Sequence, residues 1–501
     1  MAKPWRFLGF VAMVCNRPLW WWIAALAGGG LAGVALPPLG CPPLLWIALV
    51  PLWGLGPAAA GLWGGMAVLV SHRWLLWLHP LDWVGVPLPL SLPLCLLLWA
   101  GCGLLAAALV GGWRLLVQRL GAERWSAALV GAALWGLAEV LLARGPLFWI
   151  GLGSVALPGD RPLAAWGAWV GAGGLAVVQL MLGWGLWRLW LLVRAHSRLA
   201  WRGALLWLAV VAGLQGLGWW RLQLAQRSES AGARLTVLVL QPAIPTRRKF
   251  DWDQQQALLR RLDGALAQAE ALQVQALVLP EGALALGQDL PRRSDVQVLS
   301  GGFRRVGERL RSALLLFPPG AQQASLALDK HRLVPLGEWI PGGELFAWAG
   351  LSAVGGISPG APSRLLPRPE GSIGAVICYE LADGTALAAA SRGGAGWLLA
   401  SANLDPYPLL LQRQFTALAQ LRALESNRWL VSAANTGPSL VVDAAGVVRQ
   451  QLPPFVPGRL LARLQVRQGL TAYARWGELP LLLLLGAGIA ALWRESRVRQ
   501  S

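Results

Sequence analysis

The sequence predicts a multi-pass α-helical membrane bundle of about eight spans that carries one extracytoplasmic α/β domain. Three observations predict it. Of 501 residues 56% are hydrophobic, the mean hydropathy is +0.52, and only 13% are charged, against about 25% in a soluble domain. Long apolar runs fill the first 220 residues and return near the end, whereas the segment between them alternates short apolar strands with amphipathic helices. Many of the 31 Trp sit at the ends of the apolar runs, where amphipathic rings favour the bilayer interface.

A crossing needs about 20 apolar residues. Runs at Leu19–Leu36, Pro43–Gly54, Ala58–Leu78, Leu88–Val110, Ser126–Leu142, Leu163–Val193 and Trp201–Trp220 precede the polar segment, and Leu479–Trp493 follows it. The domains are therefore 1–220 (bundle), 221–476 (polar α/β domain) and 477–501 (last span and basic tail). With seven spans first, Lys3, Arg6, Arg17, Arg114, Arg119, Arg124, Arg188, Arg194, Arg198, Arg202, Arg494, Arg497 and Arg499 fall on the inside, and only Arg73, Arg144 and Arg161 fall outside or within the bundle. That bias follows the positive-inside rule and places both termini in the cytoplasm and the polar domain outside. It also answers the nucleic-acid reading of the +19 net charge, because many of the basic residues flank apolar spans.

Within the bundle, Glu139 and Arg144 are expected to form a helix-packing ion pair. His72 and Arg73, near the outer end of the third span, are candidates for lipid phosphates or for snorkelling.

In the polar segment, Leu235–Leu240, Ala276–Leu279, Ala313–Phe317, Ser325–Leu328, Ile373–Ile377, Trp397–Ala400, Trp429–Ser432 and Arg459–Val466 read as strands, Ser439–Gln450 as a hairpin, and Trp252–Ala271 and Leu409–Arg428 as helices. Three of the strands end on chemically useful residues. Leu277-Val278-Leu279-Pro280 ends on Glu281, Leu326-Ala327-Leu328 is followed by Asp329 and Lys330, and Gly374-Ala375-Val376-Ile377 ends on Cys378, flanked by Tyr379 and Glu380. Of five Cys, only Cys378 lies in the polar segment. A single thiol facing an oxidising compartment suggests one kept for chemistry.

A thiol needs a base or a nearby cation to become a nucleophile. Glu281 suits the base, and Lys330 suits stabilisation of a thiolate and an oxyanion, with the Tyr379 N–H as a second donor. Glu338 and Glu380 are candidates for orienting Lys330, and Tyr379 for positioning an acyl group or for packing. A Cys–His pair with His331 competes, but on an extended segment His331 points away from its neighbour Lys330. The motifs CxxC and HExxH are absent, so neither a metal nor another cofactor is expected. Ile340–Gly360 is a Gly/Pro-rich loop with apolar side chains, read as a lid over a lipid portal.

Taken together and in this order, "LVLPEGAL", "DKHRLVPLGEWIP" and "GAVICYE" in a membrane-embedded chain resemble the apolipoprotein N-acyltransferase family of the nitrilase superfamily. The resemblance implies a four-layer α-β-β-α sandwich in the bacterial inner membrane. It implies transfer of an acyl chain from a phospholipid, typically phosphatidylethanolamine, through a Cys378 thioester to the N-terminal amine of a diacylglyceryl-cysteine apolipoprotein. Glu281, Lys330 and Cys378 carry over as catalytic residues, with Glu338, Tyr379 and Glu380 in support. Phe250 or Trp252, together with Trp339, Phe346 and Trp348, are candidates for substrate binding or the lid. The chain departs from the family where Asn403-Leu404-Asp405-Pro406-Tyr407 replaces an Asn-Asp-x-Trp-Phe-like stretch. Two alternatives stand beside this reading. One is a membrane-tethered nitrilase-type amidase, which one span would serve as well as eight. The other is a receptor or transporter with a degenerate domain.

Overall fold

The computed structural model describes residues 18–82, 86–227, 233–249, 251–335, 337–339 and 356–498. Phe250, Phe346 and Trp348 lie outside the described residues, as does nearly all of the expected lid.

The apolar runs are helical, since in hydrocarbon a helix pairs every backbone polar group within the segment. Before the polar domain come α1 (Leu19–Ala35), α2 (Pro42–Gly54), α3 (Pro57–Ser71), α4 (Leu88–Leu120), α5 (Trp125–Arg144), α6 (Gly167–Arg194) and α7 (Ala200–Arg227). Helices α4 to α7 are long and apolar enough to cross a membrane; α1, α2 and α3 are shorter apolar helices of 17, 13 and 15 residues. Their boundaries depart from the expected spans where local geometry intervenes. The third run leaves the α-helix at Ser71 and continues as a 3-10 turn over Arg73–Leu78. The sixth divides into one turn at Arg161–Ala164 and then α6, which is kinked at Gly171 (φ 66°). A Cβ there would lie 2.3 Å from Cε2 of Tyr473, so the Tyr473 ring occupies the space a side chain would need. Helix α4 runs on past Val110 to Leu120 and stops at Gly121.

In the polar domain, β1 (Arg234–Gln241), α8 (Trp252–Ala271), β2 (Ala276–Leu279), β3 (Gln297–Val306), β4 (Arg309–Phe317) and β5 (Leu326–Asp329) form the first half. The second half runs β6 (Leu365–Leu366), β7 (Ile373–Ile377), α9 (Gly384–Arg392), β8 (Leu398–Ala402), α10 (Leu409–Ser426), β9 (Leu430–Ala434), β10 (Leu440–Val442), β11 (Val448–Gln451) and β12 (Gly458–Gln465). A short α11 (Ala472–Trp476) leads into the last apolar helix, α12 (Leu479–Val498), also long enough to cross a membrane.

Two six-stranded sheets result, in the orders β12-β1-β2-β3-β4-β5 and β11-β10-β9-β8-β7-β6. Each has three parallel strands at its centre, β1-β2-β3 and β9-β8-β7, flanked by antiparallel ones. Side chains of alternate residues explain the layering. Val237, Val239, Ala276 and Val278 join one core with Ala375, Leu399 and Val431 of the other sheet, whereas Leu238, Leu240, Leu277 and Leu279 pack with Leu262, Ala265 and Leu266 of α8. Helices α9 and α10 cover the second sheet, which completes α-β-β-α layers. Strand β3 was not evident in the sequence because Ser300-Gly301-Gly302 and Arg304-Arg305 interrupt its apolar run.

Two sequence expectations for the bundle fail. Glu139 does not pair with Arg144: its carboxylate accepts from Trp135 Nε1 and from the Leu152 amide, both at 2.8 Å. Arg144 instead donates to Thr385 Oγ1 at 3.0 Å, across to the polar domain. His72 is no headgroup ligand, because it is buried and bridges Ser71 Oγ (2.9 Å) and the Phe148 carbonyl (3.2 Å).

Candidate active site

Glu281, Lys330 and Cys378 each stand one or two residues beyond a strand end, after β2, β5 and β7. The two sheets bring them together at one end of the sandwich. The Lys330 ammonium, 1% exposed, donates to Glu281 Oε1 at 2.7 Å and to Glu338 Oε1 at 2.8 Å. The far oxygens are held by backbone: Glu338 Oε2 accepts from Val334 N at 2.9 Å, and Glu281 Oε2 from Asn403 N at 3.1 Å. Asn403 is itself fixed by hydrogen bonds to Thr246 Oγ1 and from Asn435 Nδ2.

Cys378 begins a 3-10 turn, is 6% exposed, and has φ +55°. A non-glycine residue in that region costs on the order of 1–3 kcal/mol and persists only where its surroundings enforce it. Glu380 supplies the enforcement. Its Oε2 accepts from Ile377 N at 2.8 Å, just before the cysteine. Its Oε1 accepts from His331 N at 2.7 Å and Arg332 N at 3.1 Å, just after Lys330. Arg364 neutralises it at 2.9 Å. Glu380 therefore ties the backbone just before Cys378 to the backbone just after Lys330.

The electrostatics assign distinct roles. Burial opposes charge on Lys330, but Glu281 and Glu338 outweigh it and hold the ammonium well above its ordinary range, so Lys330 is a cation and not a base. Burial, then the Glu281 charge, push the Cys378 thiol well up, against Lys330 and the Tyr379 N–H. The Cys378 thiol is therefore held in its neutral form, so to act as a nucleophile it would have to hand over its proton. Burial raises Glu338 as well, with Lys330 opposing.

The remaining sequence candidates separate. The His331 imidazole bonds to the Gly360 carbonyl at 2.8 Å. Trp252 heads α8 on the surface, 76% exposed, and Trp339 is 44% exposed. Tyr379 OH meets Tyr407 OH at 3.0 Å. Both rings line an apolar cleft with Val334, Pro335 and bundle residues Trp74, Leu98 and Phe148. The Phe148 ring stacks on Phe415 (5.1 Å) and meets Tyr379 at a tilt (5.2 Å, 46°), and Trp74 meets Tyr407 edge-on at 5.5 Å. The unusual Asn403–Tyr407 stretch thus keeps an aromatic at the cleft. Trp74 and Phe148 escaped the sequence reading because nothing in an apolar run, or in the loop between two of them, marks which aromatic will meet a distant domain. Lys249 was missed too; it lines a small cavity with Glu281, Asn403 and Asn435.

Residues 175–473 match the carbon-nitrogen hydrolase family. A protein of Prochlorococcus marinus (strain MIT 9313) named apolipoprotein N-acyltransferase is 50% identical over 95% of this chain and 96% of its own length. One of the same name from Parasynechococcus marenigrum (strain WH8102) is 47% identical over 92% of this chain and 97% of its own. Among solved structures, Saccharomyces cerevisiae Nit3, a member of branch 10 of the nitrilase superfamily, is 16% identical over 46% of this chain and 90% of its own, with a TM-score of 0.35. By the family match and the two relatives of 50% and 47% identity, the chain belongs to the apolipoprotein N-acyltransferase family, with a carbon-nitrogen hydrolase domain between membrane-type helices.

Proposed function

We propose that this enzyme moves an acyl chain from a membrane phospholipid, phosphatidylethanolamine the expected donor, to the N-terminal amine of a diacylglyceryl-cysteine apolipoprotein, on the extracytoplasmic face and with both termini inside. The observation that carries the reading is the buried Glu281–Lys330–Glu338 cluster together with an apolar cleft, shared by the hydrolase domain and the bundle, whose wall includes Tyr379, the residue next to Cys378. A water-soluble amide has no use for such a cleft, whereas an acyl ester drawn from the bilayer does.

Glu281 accepts the thiol proton as Sγ of Cys378 attacks the ester carbonyl. The tetrahedral oxyanion is stabilised by the Lys330 ammonium and the Tyr379 N–H. Collapse breaks the ester bond, and Glu281 returns the proton to the departing lysophospholipid alkoxide. The acceptor amine then attacks the thioester, Glu281 takes its proton, and the Cys378 sulfur leaves to recover that proton. Each half-reaction returns Glu281 to its carboxylate form.

Mass spectrometry of lipoprotein N-termini from cells with and without this protein tests the activity. A gain of one acyl chain is expected, and unchanged masses sink the reading. Labelling of a cysteine placed near Arg198 by an impermeant thiol reagent in intact cells would contradict the topology.

A further inference from the structure

A second lysine, Lys249, stands beside Gly282, the residue after Glu281. Lys249 closes the 3-10 turn Thr246–Arg248, through its own N–H on the Thr246 carbonyl at 3.2 Å. That turn is pinned to the segment that holds Glu281. Thr246 N donates to Asp405 Oδ2 at 2.6 Å, and Thr246 Oγ1 accepts from Asn403 Nδ2 at 2.8 Å. The side chain runs over Phe303, its Nζ 5.5 Å from the ring centroid. It ends above Gly282, the residue after Glu281, where a Cβ would come within 2.9 Å of Nζ. Gly282 has φ +65°, a backbone conformation glycine favours, and its missing side chain leaves the space that the ammonium occupies. Lys249, Glu281 and Asn403 line one small cavity.

The two oxygens of Glu281 therefore face different partners. Oε1 is on Lys330, and Oε2 is on the Asn403 amide, toward the cavity that Lys249 lines. We propose that Lys249 is a second cationic positioning residue, whose ammonium holds the Glu281 carboxylate against Asn403 so that Oε1 stays on Lys330 at the nucleophile. Burial lowers the proton affinity of Lys249, and the Glu281 charge opposes that, in keeping with the cavity the two residues share. The inference rests on the reading of Glu281 as the base. It adds a residue that acts through Glu281 and not on substrate.

The test uses the full-length enzyme in detergent micelles with phosphatidylethanolamine, following single-turnover acylation of Cys378. Lys249→Met is expected to slow acylation about 10-fold or more, part of the roughly 10²–10⁴-fold that a positioned base supplies. Its KM for phospholipid and its melting temperature should stay at wild-type values. Lys249→Arg, which restores the charge, should recover most of the rate. Should the methionine variant fold poorly, Lys249→Gln removes the charge with a polar chain and must show the same loss. Acylation at more than half the wild-type rate in a folded neutral variant overturns the proposal. So does equal loss in folded Arg and Met variants, since charge would then be irrelevant. A Glu281→Gln enzyme at full rate sinks the base assignment itself; an inactive Glu281→Gln beside a silent Lys249→Met sinks only the role of Lys249.

Discussion

Glu380 and Arg364 form an ion pair with both side chains 2% exposed, Nη1 standing 2.9 Å from Oε2. The carboxylate in turn grips the backbone at Ile377, His331 and Arg332. Removing one member of a buried pair leaves an uncompensated charge and costs about 3–5 kcal/mol, whereas replacing both with apolar residues is often neutral. Glu380→Met alone is thus expected to lower the melting temperature sharply. Glu380→Met with Arg364→Met should recover much of that stability yet stay nearly inactive, because nothing then holds Cys378 at its positive φ. Recovery of turnover along with stability in the double variant would show that the pair serves folding alone.

Much of this site was legible in the sequence, and the reason is physical. Short apolar runs that end on Glu281, Lys330 and Cys378 announce strand ends, and a strand end fixes where a side chain is aimed. The α8, β1 and β2 pattern was legible for the same reason of period. What escaped was side-chain choice at long range. Arg364 lies in a loop with no local sign that it will neutralise Glu380. Phe148 sits in the loop between α5 and α6 and meets Tyr379 only after the two halves dock. Helix ends in the bundle were misjudged because hydropathy does not record the Tyr473 wedge at Gly171 or the tightening after Ser71.

The state of the nucleophile gives a pH prediction. Burial and the Glu281 carboxylate hold the Cys378 thiol well above its ordinary value of 9.0. An acid whose pKa is raised keeps its proton to higher pH, so its thiolate fraction keeps growing through the ordinary thiol range. Alkylation of Cys378 by iodoacetamide, read from the mass of its peptide, should be slow at pH 7 and still rising at about pH 9. A plateau below pH 8 would mean a preformed thiolate stabilised by Lys330. In wild type, phospholipid should leave a hydroxylamine-labile adduct on Cys378, and Cys378→Ala should carry none.

Stability should also depend on pH through Glu425. This α10 residue is fully buried beside Arg422, with Nη2 at 3.1 Å. Burial raises it from 4.5 to about 7, with Arg422 opposing. A carboxyl whose folded pKa lies above its unfolded one stabilises in its protonated form. That contribution is complete below the unfolded value and is lost as pH rises through the folded one. The melting temperature is expected to fall between about pH 5 and pH 7, and Glu425→Gln, which cannot ionise, should flatten that slope. A variant that keeps the full slope assigns it to another group.

The contact of Phe148 with Tyr379, ring centroids 5.2 Å apart and tilted by 46°, separates packing from substrate handling at the cleft. Phe148 is 2% exposed and stands between Tyr379 and Phe415, while it also lines the apolar space beside Cys378. Phe148→Ala removes a buried ring and should cost about 3–5 kcal/mol, as for other large-to-small core changes. Phe148→Leu keeps most of the apolar volume and should cost under about 1.5 kcal/mol. If the ring only packs, Phe148→Leu will acylate Cys378 at the wild-type rate with every donor. If the cleft receives the acyl chain, the altered wall should change the ratio of kcat/KM between long and short acyl donors by several-fold, about 1 kcal/mol of differential binding. Tyr407→Phe is the control on the same wall, since it removes only the hydroxyl at 3.0 Å from Tyr379 and leaves the apolar surface intact. It should leave chain-length preference unchanged. A shift in Tyr407→Phe with none in Phe148→Leu would place the acyl chain elsewhere.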